Sequence, residues 1–240
     1  RCSRSDNKPN GESGMNLVYA TSIFMLRRSL KLFSNWTVEG IENVPEQGSI
    51  LVVGNHLSNV DPGLLSASFP RQIQFMAKHT LFANPIARRF FLAYGAFPIS
   101  ENGKEFSSIQ KSLDILGTGG VVGMFPEGGR NPSGLGKAML GAGMIAIRSG
   151  VPILPVAITG TENLGHWIRV CNPTGSLNVK IGKPFNVTTS KTKKLRDNLE
   201  YVADTIMGNI AALLPEEYRG VYSENWKGTR SYTSPPKFGT

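Results

Sequence analysis

From Met15 to about Asn35 the apolar positions Tyr19, Ile23, Leu26, Leu30 and Phe33 recur at spacings of four, three, four and three, which lines one face of an α-helix. Arg27, Arg28 and Lys31 fall on the rest of its surface. Phe106, Ile109, Leu113 and Leu116 repeat the pattern and predict an amphipathic helix over 104–116, with a longer one over 191–214. Shorter helices are predicted over 62–68, 86–94 and 138–149, the last stopped by Gly150. Between them lie short apolar runs at 36–39, 49–53, 73–77, 119–125, 152–158 and 177–181 that read as strands, and 95–99 reads as extended. Strands alternating with helices of about ten residues predict an α/β fold. Its centre is a mostly parallel sheet flanked by helices, behind an N-terminal amphipathic helical segment at 15–35. Residues 36–222 form one domain without an internal repeat. Residues 1–14 are expected to be a disordered polar extension, and 223–240 a polar tail.

Charge changes this picture more than size does. The chain of 240 residues carries 26 basic and 17 acidic side chains, a formal +9, so an anionic partner is expected. Nucleic acid, an acidic membrane surface and a phosphorylated substrate all qualify, but the basic residues are scattered among apolar strands without a nucleic-acid-binding motif. Nucleic acid is therefore not expected as a partner. Cys2 and Cys171 make neither a disulfide framework nor a metal-ligand spacing, which fits a reducing compartment and no metal. No apolar run is long enough to span a bilayer, and no small-residue cleavage site follows the first apolar stretch. The helix at 15–35 is expected to lie in a membrane interface, apolar face toward lipid and bases toward phosphate. The alternative is a helix packed on the domain with a solvated basic edge. Attachment would be peripheral or monotopic, at the cytoplasmic face.

The chemistry-bearing residues sit in two loops, each directly after an apolar strand. The first is Gly54-Asn55-His56-Leu57-Ser58-Asn59-Val60-Asp61-Pro62. On a straight helix His56 and Asp61 would point roughly 140° apart, so they meet only if the loop folds back. A carboxylate on Nδ1 would then fix the tautomer and leave Nε2 as a base. Taken alone the pair also fits a helix cap beside an unremarkable loop histidine, because Asp before Pro is a natural N-cap. The second loop is Pro126-Glu127-Gly128-Gly129-Arg130-Asn131-Pro132. In open α/β sheets, sites gather beyond the carboxyl ends of strands, so both loops can border one cleft. A base with its acid, an arginine and a glycine-rich turn suit acyl transfer to a hydroxyl, with His56 taking the proton. No G-x-S-x-G elbow and no nucleotide-binding glycine motif is present.

Asn55-His56 with Asp61, then Phe125-Pro126-Glu127-Gly128-Gly129-Arg130 about seventy residues on, then Val151-Pro152-Ile153-Leu154-Pro155-Val156, resemble the blocks of the glycerolipid acyltransferases. Those enzymes make phosphatidic acid from 1-acylglycerol 3-phosphate and an acyl thioester. Over residues 36–185 the resemblance implies an acyltransferase domain, with His56 as general base and Asp61 as its orienting partner. It implies that Glu127 and Arg130 bind glycerol phosphate, that Gly128 keeps the loop open, and that Leu154 and Pro155 line the acyl-chain pocket. Glu101 stands where the family has an arginine, and Lys104 or Lys78 is expected to supply the charge instead. Gly129 replaces the usual threonine, and Met139 a frequent lysine. The resemblance implies no cofactor beyond the co-substrate, acyl-CoA or an acyl carrier protein thioester. A lysophospholipid and an anionic membrane surface are the implied partners. A different lysolipid or glycolipid acceptor stays open, as does a non-catalytic acyl-CoA-binding module.

Overall fold

The computed structural model describes residues 12–99, 105–166, 169, 172–190, 192 and 194–223. The apolar runs β1 (Ser34–Glu39), β2 (Ile50–Gly54), β3 (Ile73–Lys78), β4 (Phe97–Ile99), β5 (Val121–Met124), β6 (Ile153–Thr159) and β7 (Gly175–Ile181) pair into one seven-stranded sheet. Its order is β1-β7-β6-β2-β5-β3-β4, and every pairing is parallel except β6 with β7. No long helix lies among the described residues between those two strands, and an antiparallel neighbour needs no helical crossover.

The central strands are apolar on both sides because both faces are covered. Leu51, Val53, Val122 and Ile153 face α4 (Glu105–Gly117), α5 (Leu140–Ser149) and α6 (Leu195–Leu213). Ile50, Val52, Leu154 and Val156 face α1 (Glu12–Phe33) and α2 (Asp61–Ser68). α3 (Pro85–Tyr94) packs on α1 and links β3 to the edge strand β4. Since β2, β5, β3 and β4 run parallel, their carboxyl ends share one edge of the sheet, and the loops bearing His56 and Glu127 leave from there.

The N-terminal helix corrects the expectation for its apolar face. Ile23 and Leu30 are 7% and 2% exposed, and Tyr19 and Leu26 are half-buried: the face expected to meet lipid is packed on the domain. Arg27 fastens it there, donating from Nε to the Ala67 carbonyl (2.7 Å) and from Nη2 to that of Phe69 (3.0 Å), at the carbonyl-rich end of α2. The physical reason is that Leu64, Leu65 and Val60 offer this stripe a packed partner, which burial rewards as well as lipid would. Of the predicted stripe, Phe33 alone remains exposed. The opposite side of α1 also carries large exposed apolar side chains, with Arg28 among them over the Phe24 ring.

Candidate active site

Gly54 ends β2 where a side chain would crowd the Val156 carbonyl, 3.3 Å from the place of a Cβ. The next residue, Asn55, is buried and pairs with Ile158 on β6 in both directions. Its Nδ2 donates to the Ile158 carbonyl (2.8 Å), and its Oδ1 accepts from the Ile158 N–H (2.7 Å). A side-chain amide thus extends the ladder past the last strand residue, which fixes where the chain turns out toward His56.

His56 Nδ1 lies 2.8 Å from Asp61 Oδ2. Asp61 is fully buried, and both its oxygens are engaged. Oδ2 also accepts from the N–H groups of Leu57 and Ser58, each at 2.7 Å, and Oδ1 accepts from the Thr161 hydroxyl at 2.6 Å. These amides precede the helix, so Asp61 does not cap α2; Val60 occupies the cap position without a side-chain bond. The carboxylate instead holds the loop in a tight turn around the imidazole. Ser58 Oγ donates to the Leu164 carbonyl (2.6 Å) and Asn59 Nδ2 to that of Gly165 (2.8 Å), tying the same loop to the segment after β6. The imidazole stacks on Phe125, with ring centroids 4.2 Å apart and planes 16° apart. With Nδ1–H committed to Asp61, the nitrogen left for chemistry is Nε2.

The second loop meets the first through backbone. Asn131 N–H donates to the His56 carbonyl (2.6 Å), and the His56 N–H donates to Glu127 Oε1 (3.1 Å). Glu127 Oε2 accepts from the Gly136 N–H at 2.8 Å. Burial pushes the Glu127 carboxyl above its ordinary value, and the amides of Gly136 and His56 pull partly the other way. Glu127 therefore works as a bridge between loops, and both its oxygens are spent on protein amides. Gly128 takes a positive φ of 69°, and a Cβ there would overlap the Met139 thioether, so a glycine is required under that side chain. Arg130 is exposed at the end of the loop, with its guanidinium available to solvent. Lys78 is exposed at the end of β3, on the same sheet edge. Lys104 and Glu101 lie outside the described residues. Leu154 is fully buried in the layer against α1 and α2, and Pro155 is buried beside it on β6: both hold core positions.

Sequence pattern alone does not mark Thr161 as the partner of Asp61, nor Asn55 as the residue that fixes the strand exit. A usable signal existed: Gly160-Thr161-Glu162 is a third polar exit from an apolar strand. Beyond the Thr161 segment a cleft of about 530 Å3 is lined by Thr159, Glu162, Arg169, Asn178 and Tyr218, among others, and by no residue of the two loops. Among the described residues no group of three His, Cys, Asp or Glu side chains gathers to hold a metal ion.

Comparison with known proteins adds to this geometry. The sequence model of a family described as Acyltransferase matches residues 35–159. A 1-acyl-sn-glycerol-3-phosphate acyltransferase of Streptococcus pneumoniae is 30% identical over 189 residues, 75% of this chain and 68% of the relative. Its counterpart in Bacillus subtilis is 28% identical over 68% of this chain and 77% of its own length. A third, from Borreliella burgdorferi, is 28% identical, and the matched stretch spans 60% of that relative's length. Among solved structures, the crystal structure of the 1-acyl-sn-glycerophosphate (LPA) acyltransferase from Thermotoga maritima superposes with a TM-score of 0.64 at 27% identity. That match covers 86% of this chain and 84% of the other.

Proposed function

Because the chain belongs to the acyltransferase family, we propose that it transfers an acyl group from a thioester to the free hydroxyl of 1-acylglycerol 3-phosphate, forming phosphatidic acid. The observation that carries the reading is the 2.8 Å contact between His56 Nδ1 and a fully buried Asp61 whose oxygens take three further donors. His56 Nε2 removes the hydroxyl proton as the alkoxide oxygen attacks the thioester carbonyl. The tetrahedral intermediate collapses by breaking the C–S bond, and the imidazolium returns its proton to the departing thiolate. Asp61 faces the transient positive charge on the ring throughout, which lowers the barrier at both transfers. Arg130 pairs with the acceptor phosphate, since a guanidinium matches a phosphate bidentately. The relatives' names support the acceptor. The donor is an acyl-CoA or an acyl carrier protein thioester.

A different lysolipid acceptor is the second reading. It is favoured by Met139, whose apolar side chain lies over Gly128 beside the arginine loop. The net charge supports attachment to an anionic leaflet, and the cytoplasmic face of a membrane is part of the proposal for that reason. Among the described residues no helix is long and apolar enough to cross a membrane. The test is acyl transfer by the purified chain from palmitoyl-CoA to lysophosphatidic acid, beside a panel of other lysolipids. Phosphatidic acid formed by the parent and lost in His56→Ala is the expected result. Turnover with another lysolipid alone would move the assignment to that acceptor, and absence of turnover from both palmitoyl-CoA and palmitoyl-acyl carrier protein on every acceptor would sink it.

A further inference from the structure

The outer side of α1 and the segment from His79 to Tyr94 each expose large apolar side chains that the acyl-transfer chemistry does not use. On α1, Leu17, Phe24, Met25 and Leu32 are exposed at 66, 59, 70 and 74%. Phe24 follows Leu17, and Leu32 follows Met25, by seven residues, two helical turns, so they stand in adjacent rows facing away from the domain. On the neighbouring segment Ile86 is 81% exposed and Phe90 45%, one turn apart on α3, with Leu81 exposed before them. α3 packs on α1: the rings of Tyr19 on α1 and Tyr94 on α3 are tilted with centroids 5.3 Å apart, and within α3 Phe90 stacks on the same Tyr94 at 5.9 Å. α3 is also a well-terminated helix. Asn84 Oδ1 accepts from the N–H of Ile86 (2.9 Å) and of Ala87 (3.2 Å), and Gly95 closes it in the left-handed region. Its apolar side chains are presented by a regular element.

Charge identifies what this surface meets. No acidic residue lies between Glu12 and Glu39, nor between Asp61 and Glu101, while those stretches carry Arg27, Arg28, Lys31, Arg71, Lys78, Arg88 and Arg89. Arg27 and Arg71 are bound to carbonyls inside the fold; Arg28, Lys31, Arg88 and Arg89 are exposed on the two helices. Exposed large apolar side chains fringed by cations, with anionic groups excluded, match the interface of an anionic bilayer.

We propose that the segment His79–Tyr94 is a second membrane-contacting element, which with the outer rows of α1 seats the chain on an anionic bilayer. Because this segment leaves the carboxyl end of β3, it sets the lipid beside the sheet edge from which His56 and Arg130 emerge. The docking rests on the acyl-transfer reading only for its purpose, since a lysolipid acceptor then never has to leave the membrane.

The experiment is sedimentation of the full chain with vesicles of phosphatidylcholine alone and of equal parts phosphatidylcholine and phosphatidylglycerol. The parent is expected to partition onto the mixed vesicles and weakly onto the neutral ones. The double variant Ile86→Ser, Phe90→Ser is expected to lower that partition at least about tenfold. Arg88→Gln with Arg89→Gln is expected to lower it roughly 30-fold on mixed vesicles and to change nothing on neutral ones. The Arg88→Gln, Arg89→Gln variant should melt like the parent, because both side chains are exposed. Ile86→Ser alone, at a position 81% exposed, repeats the apolar test without disturbing the stack of Phe90 on Tyr94 and should still lower the partition severalfold. Acyl transfer to detergent-dispersed acceptor is measured alongside. Variants that bind mixed vesicles like the parent would overturn the proposal. So would a parent indifferent to lipid charge, or a dimer split by Ile86→Ser, Phe90→Ser with no vesicle binding. If docking fails while transfer in detergent persists, the reaction stands without this surface; the reverse outcome leaves the surface and removes the reaction.

Discussion

The loops after β2 and β5 leave adjacent strands at the same sheet edge, yet they are built to different ends. In the first, every polar group that orients His56 is spoken for: Asp61 takes four donors, and Asn55, Ser58 and Asn59 tie the turn to β6 and the segment after it. In the second, Glu127 is likewise consumed by backbone amides, but three residues on Arg130 extends into solvent. One loop fixes a single nitrogen to a small tolerance, as proton transfer requires. The other is rigid at its root and open at its tip, as binding a mobile charged headgroup requires. On the proposed reading, a preorganised base and an adaptable anion receptor differ in how many of their polar atoms the protein keeps for itself.

The sharpest way to break this contrast is to remove the imidazole. His56→Ala should lower kcat for acyl transfer by about 10²–10⁴, the usual worth of a positioned general base, with the melting temperature nearly unchanged. A variant retaining half the parental turnover would show that the first loop is architecture only.

Arg130→Ala should act on the other side of the comparison. Losing a charge-assisted contact of about 1.5–3 kcal/mol predicts a rise of about 10- to 100-fold in KM for a phosphorylated acceptor. A dephosphorylated analogue should be affected far less. Equal losses on both would mean that Arg130 orders its loop and does not read phosphate.

How much of this was legible beforehand follows the same division. The strand–helix alternation, the His56–Asp61 pair and the Glu127 loop are local in sequence, and periodicity or spacing exposes them. What stayed hidden is long-range. Thr161 reaches Asp61 across 100 residues and Asn55 reaches Ile158 across 103, and no pattern within either segment announces the partner. Glu127 is legible as a site residue, but its two amide partners are not: the resemblance implies glycerol-phosphate binding, and the geometry adds a bridge between the loops. On α1 the period is legible and the partner of the stripe is not. A stripe at helical spacing reports that a face is buried, and it is silent on whether protein or lipid buries it.

Thr161 gives the next test. Its hydroxyl donates to a carboxylate oxygen that the imidazole does not touch, so it holds Asp61 at one remove from the chemistry. Thr161→Val should reduce kcat by about tenfold, the loss of a single hydrogen bond to a charged group, and leave KM for both substrates in place. Thr161→Ser should recover most of the loss. A Thr161→Val variant with parental kcat would show that the hydroxyl does not support Asp61.

The smallest effect belongs to Glu127, and it separates bridge from receptor. Burial holds its carboxyl above 4.5, its ordinary value, so the folded chain binds that proton more tightly than the unfolded chain does. The stability this contributes is fully present below the unfolded value and is lost as pH rises through the folded one. The melting temperature of the parent relative to Glu127→Gln should therefore be most favourable in acid and narrow as pH climbs. Glutamine keeps one carbonyl oxygen for one of the two amides and turns an NH2 toward the other, so the variant should also lower kcat modestly through a displaced His56. A receptor for glycerol phosphate would differ in its kinetics: its loss would raise KM for the acceptor and leave kcat in place.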